Sequence, residues 1–265
     1  MTLSLSKLAV ATGIATGALL SLTGNANAQS FGFEFDTTYS VNNAPKGDIL
    51  LESVKIGNEI IDDFSYVSTV EIVANDPFAG GNTGAASADT GDNATGGVRA
   101  QDATAEDIAT NLGTNNLNHI IDTEDNGSFI IDLKFDKVID NLLIWERGMN
   151  SDLAIQAVDA NGDLIGTRLL IEEEMWFDAG YAIDTSEITN GAQDVGSLGI
   201  NIFADLGVES ASVDTIRFIS QSEFNGPDWK FVGTDAARDV PEPALALGLG
   251  IFGGVMALKK RAKLA

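Results

Sequence analysis

The sequence predicts an all-β fold, an antiparallel β-sandwich of the jelly-roll type with one short helix. Apolar and polar residues alternate with a period of two, as in half-buried strands, over Phe31–Phe35 and again over Phe129–Phe135. Asn161-Gly162 supplies the positive-φ turn for a hairpin between the apolar segments Leu153–Val158 and Leu164–Ile171. About ten such segments follow one another at hairpin spacing, which is typical of a sandwich.

The remaining elements follow from local patterns. Further strands are predicted at Asp48–Ile56, Glu59–Val73, Val138–Trp145, Trp176–Ile183, Leu198–Phe203, Val213–Ser220 and Asp228–Val232. One helix is predicted over Ala105–Leu112. Thr104 can cap its first turn, Asp107 can reach back to complete a capping box, and Gly113 ends it. Residues 75–97 are rich in Gly, Asn, Asp and Ala and lack an apolar period, so they predict a long surface loop.

Both ends of the chain are basic and apolar. Lys7 precedes the apolar run Leu8–Leu22, and small residues follow at Ala26 and Ala28. This order predicts a secretory signal peptide over residues 1–28, with an N-terminal helix and cleavage after Ala28. The β-domain is then expected over residues 29–235, followed by a tether at 236–240.

The C-terminal segment has three parts. Pro241, Glu242 and Pro243 precede an apolar run, Ala244–Leu258, and the chain closes with the basic residues Lys259, Lys260, Arg261 and Lys263. Residues 244–258 span roughly 22 Å as a helix, short of the roughly 30 Å hydrocarbon core, so the transmembrane helix they predict is a weak anchor.

This three-part segment, residues 241–265, resembles the PEP-CTERM sorting signal, which exosortase, a membrane enzyme of Gram-negative bacteria, recognises and processes. The resemblance implies that Pro241, Glu242 and Pro243 are the recognition motif and that Lys259–Lys263 is the retention cluster. Three internal stretches, Ile139–Asp152, Gln193–Gly199 and Asn225–Lys230, are also similar to exosortase-dependent surface proteins. That group is defined by sorting, so the resemblance implies a surface location and leaves the ligand open.

Composition excludes several functional classes. The chain has 39 acidic and 15 basic residues, a net charge of −24, no cysteine and one histidine. Without cysteine there is no disulfide, thiolate nucleophile or cysteine zinc site. The charge repels phosphate backbones, so no nucleic-acid partner is expected. All acidic residues except Glu242 lie between the two termini, so the exported body is more acidic than the whole chain.

Three tryptophans lie among acidic residues, which suggests glycan binding. An indole face can stack on a sugar while nearby carboxylates and amides bond its hydroxyl groups. The candidate residues are Trp145, Glu146, Arg147, Asn150, Trp176 and Trp229. The alternative is that the indoles fill the sandwich core.

Calcium is the cofactor that the acidic clusters favour. Asp122, Glu124 and Asn126 place oxygens at alternate positions before Gly127, as loops that bind hard cations do. The twelfth position from Asp122 is Leu133, so the segment is not an EF-hand, and a solvated Asx turn is the alternative. His119 is expected to be a packed or capping imidazole rather than a catalytic base.

These observations predict an exported, non-catalytic protein of the cell surface or extracellular matrix. Its expected partners are signal peptidase, exosortase and, through calcium or an exposed indole, exopolysaccharide. The C-terminal helix would hold the body on the periplasmic side of the inner membrane before exosortase acts. Two alternatives remain: a secreted glycan hydrolase that uses paired carboxylates, and a purely structural envelope protein.

Overall fold

The computed structural model describes residues 31–80, 86–186, 191–208 and 213–235. The predicted signal peptide, tether and sorting signal lie outside these residues. Within them, no helix is long and apolar enough to cross a membrane. The all-β prediction is confirmed, since the described residues form antiparallel strands and one α-helix.

The strands are numbered in chain order. Their bounds are β1 Asp36–Asn42, β2 Asp48–Ile56, β3 Glu59–Ile61, β4 Phe64–Ser65, β5 Val67–Asn75, β6 Ala86–Thr90, β7 His119–Thr123, β8 Phe129–Phe135, β9 Asn141–Arg147, β10 Leu153–Val158, β11 Leu164–Ile171, β12 Phe177–Ile183, β13 Gln193–Asn201, β14 Thr215–Ser220 and β15 Trp229–Thr234. Helix α1 spans Ala105–Leu112, and short 3₁₀ turns lie at Glu173–Met175 and Ser222–Phe224.

Three sheets result from this pairing. The five-stranded sheet has the order β11-β10-β14-β8-β5, and the seven-stranded sheet has the order β12-β13-β9-β15-β7-β6, with β4 pairing beside β15. Strands β1, β2 and β3 form a third sheet, here called the outer sheet. The last strand to enter each large sheet takes an interior position: β14 lies between β8 and β10, and β15 lies between β9 and β7.

The seven-stranded sheet is covered on both faces. Ile144 of β9 belongs to the apolar core that also contains Phe218 of the five-stranded sheet. Trp145, the next residue along β9, points the other way and belongs to a second core with Leu51 of the outer sheet. Because neighbouring side chains of a strand point to opposite faces, these two cores lie on opposite faces of the sheet. The sandwich therefore has a third layer that the sequence did not predict.

Helix α1 forms where the sequence predicts it. Thr104 Oγ1 accepts a hydrogen bond from Asp107 N at 3.2 Å, and Asp107 Oδ2 accepts one from Thr104 N at 2.9 Å. At the other end, the fully buried Asn111 joins the helix to the seven-stranded sheet. Its Nδ2 donates to the carbonyls of Asp89, Val98 and Ile120, and its Oδ1 accepts from Val98 N.

Three sequence predictions are wrong in detail. Phe31–Phe35 does not form a strand: only Phe33 makes an isolated bridge, to Gly199, and the first strand, β1, begins at Asp36. The segment 75–97 is not a continuous loop, because Ala86–Thr90 forms a buried strand, β6, paired with β7. Its small side chains lie beneath α1, so the strand lacks the large apolar residues that normally mark one. The segment predicted as one strand over Glu59–Val73 is divided into β3, β4 and β5, which enter three different sheets.

Replacing Asn111 with Ala should destabilise the protein more than removing the helix cap. Asn111→Ala leaves the buried carbonyls of Asp89 and Ile120, and the partly buried N–H and carbonyl of Val98, without their partner. We therefore expect a loss of about 3 kcal/mol or more in the free energy of unfolding. Thr104→Ala, on the exposed end of the same helix, should cost about 1 kcal/mol. Urea denaturation measures both. Equal losses would contradict the role of Asn111 as the joint between helix and sheet.

Candidate functional site

The three tryptophans predicted to stack on a sugar are buried. Trp145 is 1% exposed, Trp176 is 6% exposed and Trp229 has no exposed surface. The prediction that these indoles bind glycan is therefore wrong, because none offers a ring face to a ligand. The alternative interpretation, in which they fill the core, is the correct one.

Each indole has a structural contact instead. The ring of Trp145 meets that of Phe35 edge to face at 5.3 Å, and its Nε1 donates to Thr37 Oγ1 at 3.0 Å. Trp229 stacks on Phe218 with ring centroids 5.4 Å apart. Trp176 Nε1 donates to the carbonyl of Ser151 at 2.9 Å. The acidic residues next to the tryptophans in the sequence did not indicate that the indoles are buried, because successive residues of a strand face different layers.

Arg147, another glycan candidate, forms a buried ion pair. Its Nη2 lies 2.6 Å from Asp228 Oδ2, and its Nη1 donates to Thr185 Oγ1 at 2.6 Å. Burial alone would lower the pKa of Arg147, but the charges of Asp228, Asp122 and Asp89 raise it above its usual value. The guanidinium therefore stays charged, and it joins β9 to the segment that precedes β15.

Glu146 is buried on the opposite face of β9 from Arg147. Its Oε2 accepts a hydrogen bond from Met149 N at 2.6 Å. Burial, followed by the negative charge of Asp228, raises the pKa of Glu146 well above its usual value. A raised carboxyl pKa favours the neutral acid, so Glu146 acts as a polar support for the turn after β9 rather than as a surface ligand.

The three residues predicted to bind calcium do not form one exposed loop. Asp122 lies within β7, Asp122 and Glu124 are each 8% exposed, and only Asn126 is exposed. The carboxylate of Asp122 contributes to the field that keeps Arg147 charged. In the part of the chain that the structure describes, no three Asp, Glu or His side chains gather closely enough to hold a metal ion.

The structure does bring acidic residues together in a cleft at one end of the sandwich. The cleft has a volume of about 250 Å³ and is lined by Asn150, Asp152, Glu172, Glu173, Glu174, Glu223, Phe224 and Asn225. Asn150 is the one glycan candidate that reaches it. Asp152 Oδ1 accepts a hydrogen bond from Glu173 N at 2.9 Å, which fixes the 3₁₀ turn after β11 against the turn after β9. The run Glu172–Glu174 is visible in the sequence as an acidic segment. That Asp152 and Glu223 lie beside this run is apparent only from the fold.

His119 is packed, in agreement with the sequence expectation. It is 2% exposed, its Nδ1 lies 3.2 Å from Thr114 Oγ1, and its Nε2 lies 3.1 Å from Asn116 Nδ2. Burial, and then the charge of Lys230, lower the pKa of His119 to about 4. At neutral pH the imidazole is therefore uncharged, and both of its ring nitrogens have a hydrogen-bond partner.

The fold and these contacts define an acidic, three-layered β-sandwich whose buried polar groups connect its layers. Comparisons of the chain with protein-family models, curated proteins and solved structures found no match.

Breaking the Arg147–Asp228 pair on one side should be costly. Arg147→Met leaves the carboxylate of Asp228 buried without its cation, so we expect a loss of about 3–5 kcal/mol in the free energy of unfolding. The double variant Arg147→Met/Asp228→Asn should lose less, because the neutral amide can still accept the hydrogen bond from Thr123 N. Urea denaturation at pH 7 compares them, and a double variant as unstable as the single one would contradict this account.

Glu146→Gln should change how stability depends on pH. The pKa of Glu146 is raised in the folded state, so its contribution is fully present below the unfolded value of about 4.5 and is lost as the pH rises toward the folded value. Gln imitates the neutral acid at every pH. We therefore expect equal stabilities near pH 4 and a growing advantage for the variant up to pH 8, measured by urea denaturation. A difference that does not vary with pH would contradict the neutral state of Glu146.

Proposed function

We propose that this protein is an exported structural protein of the cell surface or extracellular matrix, released from an inner-membrane intermediate by exosortase. The observation that carries the proposal is the order Pro241-Glu242-Pro243, apolar run and basic cluster at the end of the sequence. The predicted signal peptide agrees with it, because a chain exported at one end can be sorted at the other.

The buried chemistry of the body favours a structural role. Arg147, Glu146 and His119 are the residue types that catalytic sites use, yet each is buried and hydrogen-bonded within the fold. Arg147 joins segments distant in the chain, whereas Glu146 and His119 support the turns beside their own strands. This use of ionisable side chains supports a domain selected for a stable fold in an exposed compartment.

Contact with an acidic polysaccharide would need a cation. The body is strongly acidic, so it repels a polyanion unless divalent ions bridge carboxylates on both partners. Calcium suits such bridging, because carboxylate oxygens are its preferred ligands. We therefore extend the proposal to calcium-dependent association with the anionic exopolysaccharide of the matrix.

The sorting step has a direct test. Intact-mass spectrometry of the protein from cells with and without exosortase should show loss of the C-terminal segment only when the enzyme is present. Replacing Pro241, Glu242 and Pro243 with Ala should block processing, whereas Arg238→Ala in the tether should not. An identical C-terminus in both strains would refute the sorting assignment.

Association with the polymer is tested by co-sedimentation. The full chain should sediment with anionic exopolysaccharide in calcium and stay in solution when a chelator is added. Magnesium in place of calcium distinguishes an ion that carboxylates ligate directly from general screening of charge. If the protein does not sediment with the polymer in any condition, polymer association is refuted and the purely structural role is left.

The acidic cleft keeps a second candidate function, a glycan hydrolase, open to test. Paired carboxylates about 5–10 Å apart can serve as acid and base or nucleophile, and Glu172, Glu174 and Glu223 are the carboxylates to examine. The assay is release of reducing sugar from the matrix polymer, with Glu→Gln at each position as the control. No release by the unmodified protein would remove this candidate.

A further inference from the structure

Three asparagines fasten the outer sheet to the rest of the sandwich. Asn115, Asn116 and Asn118, here called the asparagine clamp, lie just before β7. Leu51 N donates to the carbonyl of Asn115 at 2.8 Å, and Ile49 N donates to Asn116 Oδ1 at 3.1 Å. Asn118 Nδ2 donates to the carbonyls of Pro45 and Gly47. The clamp thus bonds the first half of β2 and the turn before it.

The amide of Asn116 can adopt only one orientation in this setting. Its Oδ1 accepts from two backbone groups, Ile49 N and Asn118 N, both at 3.1 Å. Its Nδ2 donates to Asp48 Oδ1 at 2.8 Å. Turning the amide by 180° would place its NH₂ against two N–H donors and its oxygen against a carboxylate. The second hydrogen of Nδ2 is directed to His119 Nε2.

This orientation assigns the tautomer of the neutral His119 ring. Because Asn116 Nδ2 can only donate, its 3.1 Å contact assigns His119 Nε2 as the acceptor, which carries no proton in the neutral ring. The ring proton is on Nδ1, which donates to Thr114 Oγ1. The Thr114 hydroxyl in turn makes a long contact, 3.5 Å, to the carbonyl of Asn111 at the end of helix α1. One chain of hydrogen bonds therefore runs from α1 through the imidazole to β2.

A second proton on the ring breaks this chain. Protonation places an N–H on Nε2, which then faces the NH₂ of Asn116, so two donors oppose each other. The amide cannot turn over to relieve the conflict without losing Ile49, Asn118 and Asp48 together. We propose that His119 is an acid-sensitive latch, and that its protonation opens the asparagine clamp and releases the outer sheet from the seven-stranded sheet.

The charges around His119 set where the latch operates. Lys230 of β15 opposes a second positive charge, whereas a backbone hydrogen bond to Thr95 and the carboxylate of Asp48 of β2 favour it. On the side of β6, Asp89 precedes Thr90, the residue paired with His119, and Arg99 Nε donates to Thr90 Oγ1 at 2.8 Å. Burial is the largest influence, and it lowers the pKa of His119 to about 4 from its usual 6.5.

The sign of the effect follows from linkage. A histidine whose pKa is lowered in the closed state favours that state when neutral, so closure weakens as the pH falls below 6.5 and the effect levels off near 4. Between these values each pH unit should increase the opening of the clamp by about tenfold.

The experiment is NMR on the full chain, in which the single histidine makes the imidazole signal unambiguous. Its carbon shifts should show the Nδ1–H tautomer and a titration near pH 4. Hydrogen-exchange protection, corrected for intrinsic rates, should fall about tenfold per pH unit below 6.5 at the amides of Ile49, Leu51 and Leu117. The last of these donates to the carbonyl of Ile49 at 2.7 Å. Protection at Ile131 and Phe218, in the five-stranded sheet, should change much less.

The matched variant is His119→Gln, whose side-chain oxygen can accept from Asn116 but cannot take up a proton in this range. In it the pH dependence at the clamp amides should disappear. The proposal is overturned if the variant keeps the same pH dependence, or if both sheets lose protection together. If the variant does not fold, the comparison of the two sheets in the unmodified protein decides alone, and an imidazole that titrates near pH 6.5 without loss of protection at the clamp also overturns the latch.

Discussion

The structure depends on a seven-stranded sheet that is buried on both faces. Every residue of β9 and of β15 is buried, and alternate side chains of β9 enter the two cores. Sheets that face water on one side have polar residues at every second position, whereas these two strands are apolar on both sides for most of their length. Because the central sheet cannot be solvated, both the five-stranded sheet and the outer sheet are required to cover it.

Burial on both faces explains the polar groups in the interior. Lys230 lies in the middle of this sheet with no exposed surface, and its Nζ donates to the carbonyl of Asn111 at 2.6 Å. That carbonyl belongs to the last turn of α1, where a positive group is favoured by the helix dipole. Burial lowers the pKa of Lys230 to about 7. The charged groups of Lys230 and Arg147 each connect two elements of the fold. Such buried polar contacts specify one arrangement of the layers rather than adding much net stability.

Local signals in the sequence predicted local structure well. The capping box at Thr104 and Asp107 predicted α1, and Asn161-Gly162 predicted the β10–β11 hairpin, because both depend on residues close in the chain. Strand β6 escaped prediction, since Ala86 and Ala88 are small enough to fit beneath α1 and give no apolar alternation. The outer sheet was not predicted for another reason. The apolar run in β9 indicates a buried strand but does not show how many sheets cover that strand.

The candidate site was harder to predict than the fold. Acids beside Trp145 and Trp229 suggested a binding surface, but the period of two sends Trp145 and Glu146 to opposite faces, and both faces are interior. The acidic cleft and the asparagine clamp join residues far apart in the chain, so no local pattern could reveal them. Asn115, Asn116 and Asn118 resemble an ordinary polar loop until β2 is placed beside them.

The late position of β14 and β15 in the chain bears on the proposed sorting step. Strands β14 and β15 fill the interior of the two large sheets, so neither sheet is complete until the chain is available as far as Thr234. The recognition motif proposed for exosortase begins at Pro241, only a few residues later. On the proposed sorting route, a chain held in the inner membrane at this point would already have its last strand on the exported side, so the body could close before release. Cleavage at the proposed motif would then deliver a domain whose central strands are already paired, as the proposed location outside the cell requires.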